Sequence, residues 1–270
     1  MTNIPIFDSL THPTLDGNWI LPKWPACASC DELLRQMEES GVCGSFAVGM
    51  ESIGGYEESD FIQMVNDKGK GKLFPIAFLS LKDCSEHSII NQLQTIRRRG
   101  YVGIKLHPRM GGFMLDSKWL PFAIDTANSL GLAVLMCTYY YSNTQSLLAN
   151  NVERLADLLL KVKPTSKVIL LHGGVTRLLD VMEIVRAFPN TLLDLSLTLC
   201  KYAGSSLDMD IQFLFGHFDR RVCIGSDYPE IQLKQVRERF EHFAANTTGE
   251  KARNIAYRNI VDFTGINLNA

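Results

Sequence analysis

The sequence predicts an α/β protein, a single (β/α)8 TIM barrel with an additional helix at its C-terminus. Three observations carry this. Eight short apolar, β-branched runs alternate with helical patterns along 270 residues, a length that suits one barrel of about 250 residues. Every connection is long enough for a right-handed crossover between parallel strands. Several of the strand-like runs stop on a charged or polar side chain, as strands do at a barrel's C-terminal rim. The alternative doubly wound sheet loses support, because no G-x-G-x-x-G follows the first strand and no P-loop occurs.

The elements follow in order. Ile4 to Asp8 reads as the first strand, and a Pro- and Trp-containing loop from Pro13 to Ala28 follows. Asp31 opens a helix with Leu33, Leu34 and Met37 on one face, stopped by Gly41. Ser45 to Met50 is the second strand, Ser59 to Lys68 a helix, and Leu73 to Leu79 the third strand. Ile89, Ile90, Leu93 and Ile96 have helical spacing, so Glu86 to Arg99 is an amphipathic helix closed by Gly100. Tyr101 to Leu106 is strand four. A helix over Leu120 to Leu130 ends at Gly131, and Ala133 to Thr138 is strand five. Three tyrosines, Tyr139 to Tyr141, stand beyond it. Asn151 to Lys161 is helical through Val152, Leu155, Leu158 and Leu159. Val168 to Leu171 is strand six, Thr176 to Phe188 a helix stopped by Pro189, and Thr191 to Leu195 strand seven. A helix near Met209 to Phe215 precedes the last strand, V-C-I-G from Val222 to Gly225, and two helices close the chain.

No Pro/Gly/Ser-rich linker divides this pattern, so residues 1–270 are expected to form one domain. A formal net charge of −2 gives no electrostatic footprint for nucleic acid or a membrane surface, and no apolar run approaches the roughly 20 residues of a membrane span. The expected partner is a small-molecule substrate, with self-association left open. The N-terminus shows no secretory leader pattern, and seven scattered cysteines suit a reducing compartment, so the protein is expected to be cytoplasmic. Cys27 and Cys30 form a lone C-x-x-C, better read as small apolar residues than as a zinc or redox motif.

Four strand ends carry candidate chemistry. Asp227 follows the last strand in I-G-S-D-Y-P. In G-I-K-L-H-P, Lys105 and His107 lie two apart, so a strand sends both to one side, away from Ile104 and Leu106. A desolvated lysine there could bind an acidic substrate, act as a base or be carbamylated. His172 ends an apolar run before two glycines, where it faces open space. His12 follows Asp8-Ser9-Leu10-Thr11 after the first strand. Asp194 and Ser196 share one parity in L-L-D-L-S but read equally well as a buried hydrogen-bonded pair.

The set G-I-K-L-H-P, L-L-H-G-G, L-L-D-L-S and I-G-S-D-Y-P, in this order and spacing, with N-I-A-Y-R-N-I-V-D-F near the end, resembles the amidohydrolase-related branch of the metal-dependent amidohydrolase superfamily, the branch of aminocarboxymuconate-semialdehyde decarboxylase. The resemblance spans nearly the whole chain and implies a TIM barrel with a divalent metal, zinc above others, at its C-terminal mouth. The residues and the resemblance together lead to an expected division of roles. Asp227, His172 and Lys105 would be catalytic, His107 and Tyr139 would bind substrate, and His12, Asp227 and Cys137 would be the metal ligands. This chain departs from the family pattern twice. The family's D-x-H-x-H at the first strand reads Asp8-Ser9-Leu10-Thr11-His12 here, and the histidine usual after the fifth strand is Cys137. Leucine cannot ligate, so the ligand set is short and metal is expected to be substoichiometric or absent. The resemblance implies hydrolysis of a small molecule's amide, lactone or related bond; the alternatives are a decarboxylase of the same architecture and a non-catalytic ligand-binding barrel. Trp19, Trp24 and the three tyrosines suggest an aromatic mouth.

Overall fold

The computed structural model of the protein describes residues 4–20, 28–139 and 150–268. Eight strands form one sheet in sequence order: β1 Ile6–Thr11, β2 Val42–Val48, β3 Leu73–Leu79, β4 Gly103–Leu106, β5 Ala133–Cys137, β6 Val168–Leu171, β7 Thr191–Asp194 and β8 Val222–Cys223. Register is parallel from β3 through β7 and between β1 and β2. Ser9 N donates to Ile224 O at 3.1 Å and Leu195 N to Cys223 O at 3.0 Å, which seats β8 between β7 and β1. The architecture is a (β/α)8 barrel. Strands of such a sheet are covered on both faces and therefore read as unbroken apolar runs; Val168–Leu171 is buried at every residue.

The helices are α1 Cys30–Glu39, α2 Glu58–Gly69, α3 Glu86–Arg98, α4 Trp119–Ser129, α5 Val152–Lys161, α6 Leu178–Ala187, α7 Thr198–Lys201, α8 Leu207–His217, α9 Leu233–Ala244, α10 Gly249–Arg253 and α11 Asn259–Thr264. Some of their starts follow from capping chemistry, in which a short polar side chain accepts an otherwise unpaired first-turn N–H. Ser29 caps α1, Ser85 and Ser88 form a reciprocal capping box at α3, and Asn151 caps α5. The expected additional C-terminal helix is α10 running through a π-helical turn, Asn254–Arg258, into α11.

The chain divides into two compact units, Met1–Pro75 with Asp194–Ala270, and Ile76–Leu193. In the first, Phe7 packs edge-on against Phe46 at 5.0 Å, and Phe215 against Phe243 at 5.4 Å. Arg237 of α9 fastens the chain start, donating to Ile4 O, Ser40 O and Gly41 O at 2.8 to 3.0 Å. In the second, α3 to α6 bury Leu93, Leu120, Ile124, Leu155 and Val181.

Several boundaries differ from the sequence reading, among them β2, which runs Val42–Val48 rather than Ser45 to Met50. The first strand runs to Thr11 rather than stopping at Asp8, because Ser9 and Thr11, which read as loop residues, have buried acceptors in Asp194 and Phe46 O. The helix expected from Thr176 begins at Leu178, and the preceding segment, His172–Arg177, is an irregular tight turn in which His172, Gly173, Gly174 and Val175 all have positive φ.

Candidate functional site

In the first unit, β1 places Asp8, Ser9, Leu10 and Thr11 wholly inside, with His12 2% exposed beyond them. Asp8 Oδ1 accepts from Leu10 N at 3.1 Å and Ser226 N at 2.9 Å, while Asp8 Oδ2 has no hydrogen-bond partner. Burial pushes the Asp8 carboxyl up to about 7; its hydrogen bonds from Ser226 and Leu10 oppose that rise and the nearby Asp194 charge adds to it. The turn after β8 is laced onto β1. Gly225 lies so close that a Cβ there would sit 2.3 Å from Ser9 Oγ, which explains the glycine. Asp227 N donates to Leu10 O at 2.9 Å, and His12 N to Tyr228 O at 2.7 Å. This lacing holds Asp227 at φ 59, a left-handed conformation that non-glycine residues adopt only when their surroundings impose it.

The lacing brings His12 Nε2 within 3.4 Å of Asp227 Oδ1. His12 Nδ1 lies 3.0 Å from Val48 O, and a carbonyl can only accept, so Nδ1 carries a proton; for Nε2, turned to the carboxylate, to donate to it requires a second proton on the ring. Trp19 stacks on the imidazole at 5.2 Å and 29°, its indole N–H held by Glu230 at 2.7 Å. Beside the ring, a hollow of about 220 Å³, counting space open to solvent, is lined by His12, Trp19, Met50, Tyr56 and Phe61 among others. Asp227 retains 14% side-chain exposure.

In the second unit, Lys105 and His107 are buried at the end of β4, Cys137 at the end of β5, and His172 directly after β6. His107 and His172 both hydrogen-bond the Cys137 thiol. Burial would push that thiol up, but the two imidazoles together bring it well below its usual value. Thr138 organises the β6 turn: its hydroxyl donates to Leu171 O at 2.5 Å and accepts from Gly174 N at 2.7 Å. Tyr139 lies edge-on to His172 at 6.3 Å.

The structure thus pairs His12 with Asp227 in one unit and gathers His107, Cys137, His172 and Tyr139 in the other, with Lys105 two residues before His107. Trp24, Cys27, Tyr140 and Tyr141 lie outside the described residues. Asp8, which the sequence reading placed at the head of the D-x-H-x-H stretch, was given no role there. Arg109, two residues beyond His107, was also passed over.

The fit to a resident zinc is poor on the donor set itself. A catalytic zinc takes three protein ligands and an open position. His12 and Asp227 supply two, and the third place in the D-x-H-x-H pattern is Leu10, a fully buried hydrocarbon. Among the described residues no group of three His, Cys, Asp or Glu side chains is arranged to hold a metal ion.

Comparison with known proteins follows the fold. The chain resembles the structure of an uncharacterized TIM-barrel protein from Bordetella bronchiseptica at 18% identity, covering 97% of this chain and 100% of that one with a TM-score of 0.79. It resembles a probable 2-pyrone-4,6-dicarboxylic acid hydrolase from Acinetobacter baumannii, solved with citric acid bound, at 16% identity, 97% and 99% coverage and a TM-score of 0.69. It also resembles 5-carboxyvanillate decarboxylase from Sphingomonas paucimobilis at 11% identity, 98% and 100% coverage and a TM-score of 0.67. At these identities the likeness is one of fold. No curated protein matches the chain. The amidohydrolase family model matches residues 85–261, about two thirds of the sequence, and on that match the chain belongs to the amidohydrolase family.

Proposed function

We propose that the protein is a hydrolase that cleaves an amide, lactone or related bond in a small acidic molecule. The observation that carries this is the His12–Asp227 pair. A partly exposed carboxylate, fixed in a constrained backbone conformation and backed by a buried imidazole, has the makings of a general base for water. In this reading Asp227 takes the proton from the attacking water, and His12 holds the carboxylate in place. Within the second unit, taken by itself, His172 is assigned to polarise a carbonyl, Lys105 to offset the charge of an acidic group, and His107 and Tyr139 to bind substrate. Family membership and the placement of all these groups at the C-terminal ends of strands support the assignment.

Decarboxylation is the second reading, favoured by the fold shared with 5-carboxyvanillate decarboxylase. There the carboxylate held by the cations is the group lost as carbon dioxide, and a protonated side chain supplies the proton that replaces it. Both readings are tested by assaying wild type and Asp227→Asn against lactones, amides and carboxylated phenols, with carbon dioxide release followed in parallel. Hydrolysis of a lactone or amide that falls by at least about a hundredfold in Asp227→Asn is the expected result, since a positioned base contributes on that scale. Hydrolysis undiminished in the variant removes Asp227 from the mechanism, and ligand-induced stabilisation without turnover in either protein favours the binding barrel.

A further inference from the structure

We propose that Glu230 is a positioning residue, which through the Trp19 indole holds the His12 imidazole against the Asp227 carboxylate; this rests on the base assignment above and extends it beyond the reacting pair. Glu230 and Asp227 belong to one tight turn after β8, closed by Glu230 N donating to Asp227 O at 2.9 Å. That turn directs two carboxylates, three residues apart, to a single imidazole. Asp227 meets the ring at its edge, with Oδ1 3.4 Å from His12 Nε2. Glu230 acts on it from the face. Its Oε1 accepts from the Trp19 indole N–H at 2.7 Å, and Trp19 stacks on the imidazole with centroids 5.2 Å and planes 29° apart.

Both ends of this tie are anchored. An indole has one N–H and no acceptor, so a single carboxylate oxygen bonded to it fixes where the ring lies. The backbone before Trp19 is pinned to the loop after β2, where Gly54 O accepts from Leu15 N at 3.0 Å and Asp16 N at 3.2 Å. A Cβ at Gly54, whose φ is 59, would sit 2.3 Å from Thr14 Cβ, so the two loops approach to a distance only glycine allows. Beyond Glu230, the Gln36 side chain of α1 accepts from Leu233 N at 3.1 Å and seats the start of α9. The edge contact between His12 and Asp227 is long for a hydrogen bond, and the ring torsion of a histidine is broad. The stacked indole is thus the contact that sets the tilt of the imidazole, and Glu230 is what sets the indole.

The alternative is that Trp19 packs over His12 as an apolar cover whatever stands at position 230. Nuclear magnetic resonance of protein labelled with carbon-13 in its histidine rings distinguishes the two at one pH and without substrate. The chain has six histidines, and the ring signal lost in His12→Asn is that of His12. A proton stacked on an indole face is shielded, so the wild-type His12 signal is expected upfield of the exposed His87, and Trp19→Leu gives its unstacked position. Glu230→Ala should move the signal toward that unstacked position, while Glu230→Gln, which keeps an oxygen for the indole N–H, should restore most of the shift. A thermal melt of each variant establishes that it is folded. In hydrolysis of the lactone or amide turned over in the assay above, Glu230→Ala should lower kcat about tenfold or more with a smaller change in KM, and Glu230→Gln should recover most of the loss. A His12 signal that Glu230→Ala leaves in place overturns the proposal. So does a signal that moves while kcat stays, in a protein whose hydrolysis needs Asp227. A signal governed by Glu230 alongside hydrolysis that ignores Asp227 keeps the positioning and sinks the base assignment, and the signal alone decides the positioning where no compound is turned over.

Discussion

Asp8 shows what a single buried carboxyl does to the molecule. One oxygen is satisfied by two backbone N–H groups and the other by none, so the group is best accommodated with a proton on Oδ2. Its folded-state value of about 7 lies above the ordinary 3.8, and the sign follows. Below about 4 the carboxyl is protonated folded or unfolded and costs nothing. As pH rises from about 4 to about 7 the unfolded chain ionises first, and stability falls over that window by something on the order of 4 kcal/mol before levelling off. Asp8→Asn keeps an oxygen for Leu10 N and Ser226 N and puts N–H donors where the proton would be. It should therefore be more stable than wild type at pH 8 and show a smaller loss between pH 5 and pH 8 in urea unfolding. A wild-type loss that the variant reproduces in full would place the titrating group elsewhere. Leu10, two residues along, is the residue-scale reason the metal expectation weakens, and that much was legible in the sequence. The His12–Asp227 pairing was not, since it depends on backbone bonds between residues more than 200 positions apart.

At the scale of elements, the turn that presents His172 is the least regular part of the rim. Its run of positive φ values is held by the Thr138 hydroxyl, which bonds both Leu171 O and Gly174 N. Thr138→Val removes that hydroxyl at nearly constant volume and leaves Gly174 N buried without its partner, while Leu171 O keeps the Thr138 backbone N–H. The expected cost is about 1–3 kcal/mol, read as a lower thermal midpoint; an unchanged midpoint would show that the turn holds itself. Such turns explain where the sequence reading stopped short. Apolar periodicity located all eight strands and the main helices because a parallel sheet covered on both faces writes itself as continuous apolar runs. The same rule misplaced the end of β1, where Ser9 and Thr11 are polar yet buried through long-range partners. The helix start after His172 was anticipated too early because two glycines mark a turn without giving its length.

At the scale of the whole molecule, the amidohydrolase barrel carries an altered donor set. The fold and family were legible because strand count, motif order and strand-end residues all agreed. The chemistry was less so, because related barrels support hydrolysis and decarboxylation alike. With Leu10 at a ligand position, elemental analysis of protein purified without chelator or added metal should find well under one equivalent of zinc, and one tightly held equivalent would show that other donors complete the site. The central claim, that Asp227 activates water for hydrolysis, is tested most directly by running the reaction in water enriched in the heavy oxygen isotope and weighing the organic product by mass spectrometry, with wild type and Asp227→Asn side by side. One heavy oxygen is expected in the product's new carboxylate, with a rate that collapses in the variant. An organic product without the label, formed with release of carbon dioxide, or a labelled product formed as fast by Asp227→Asn, would contradict it.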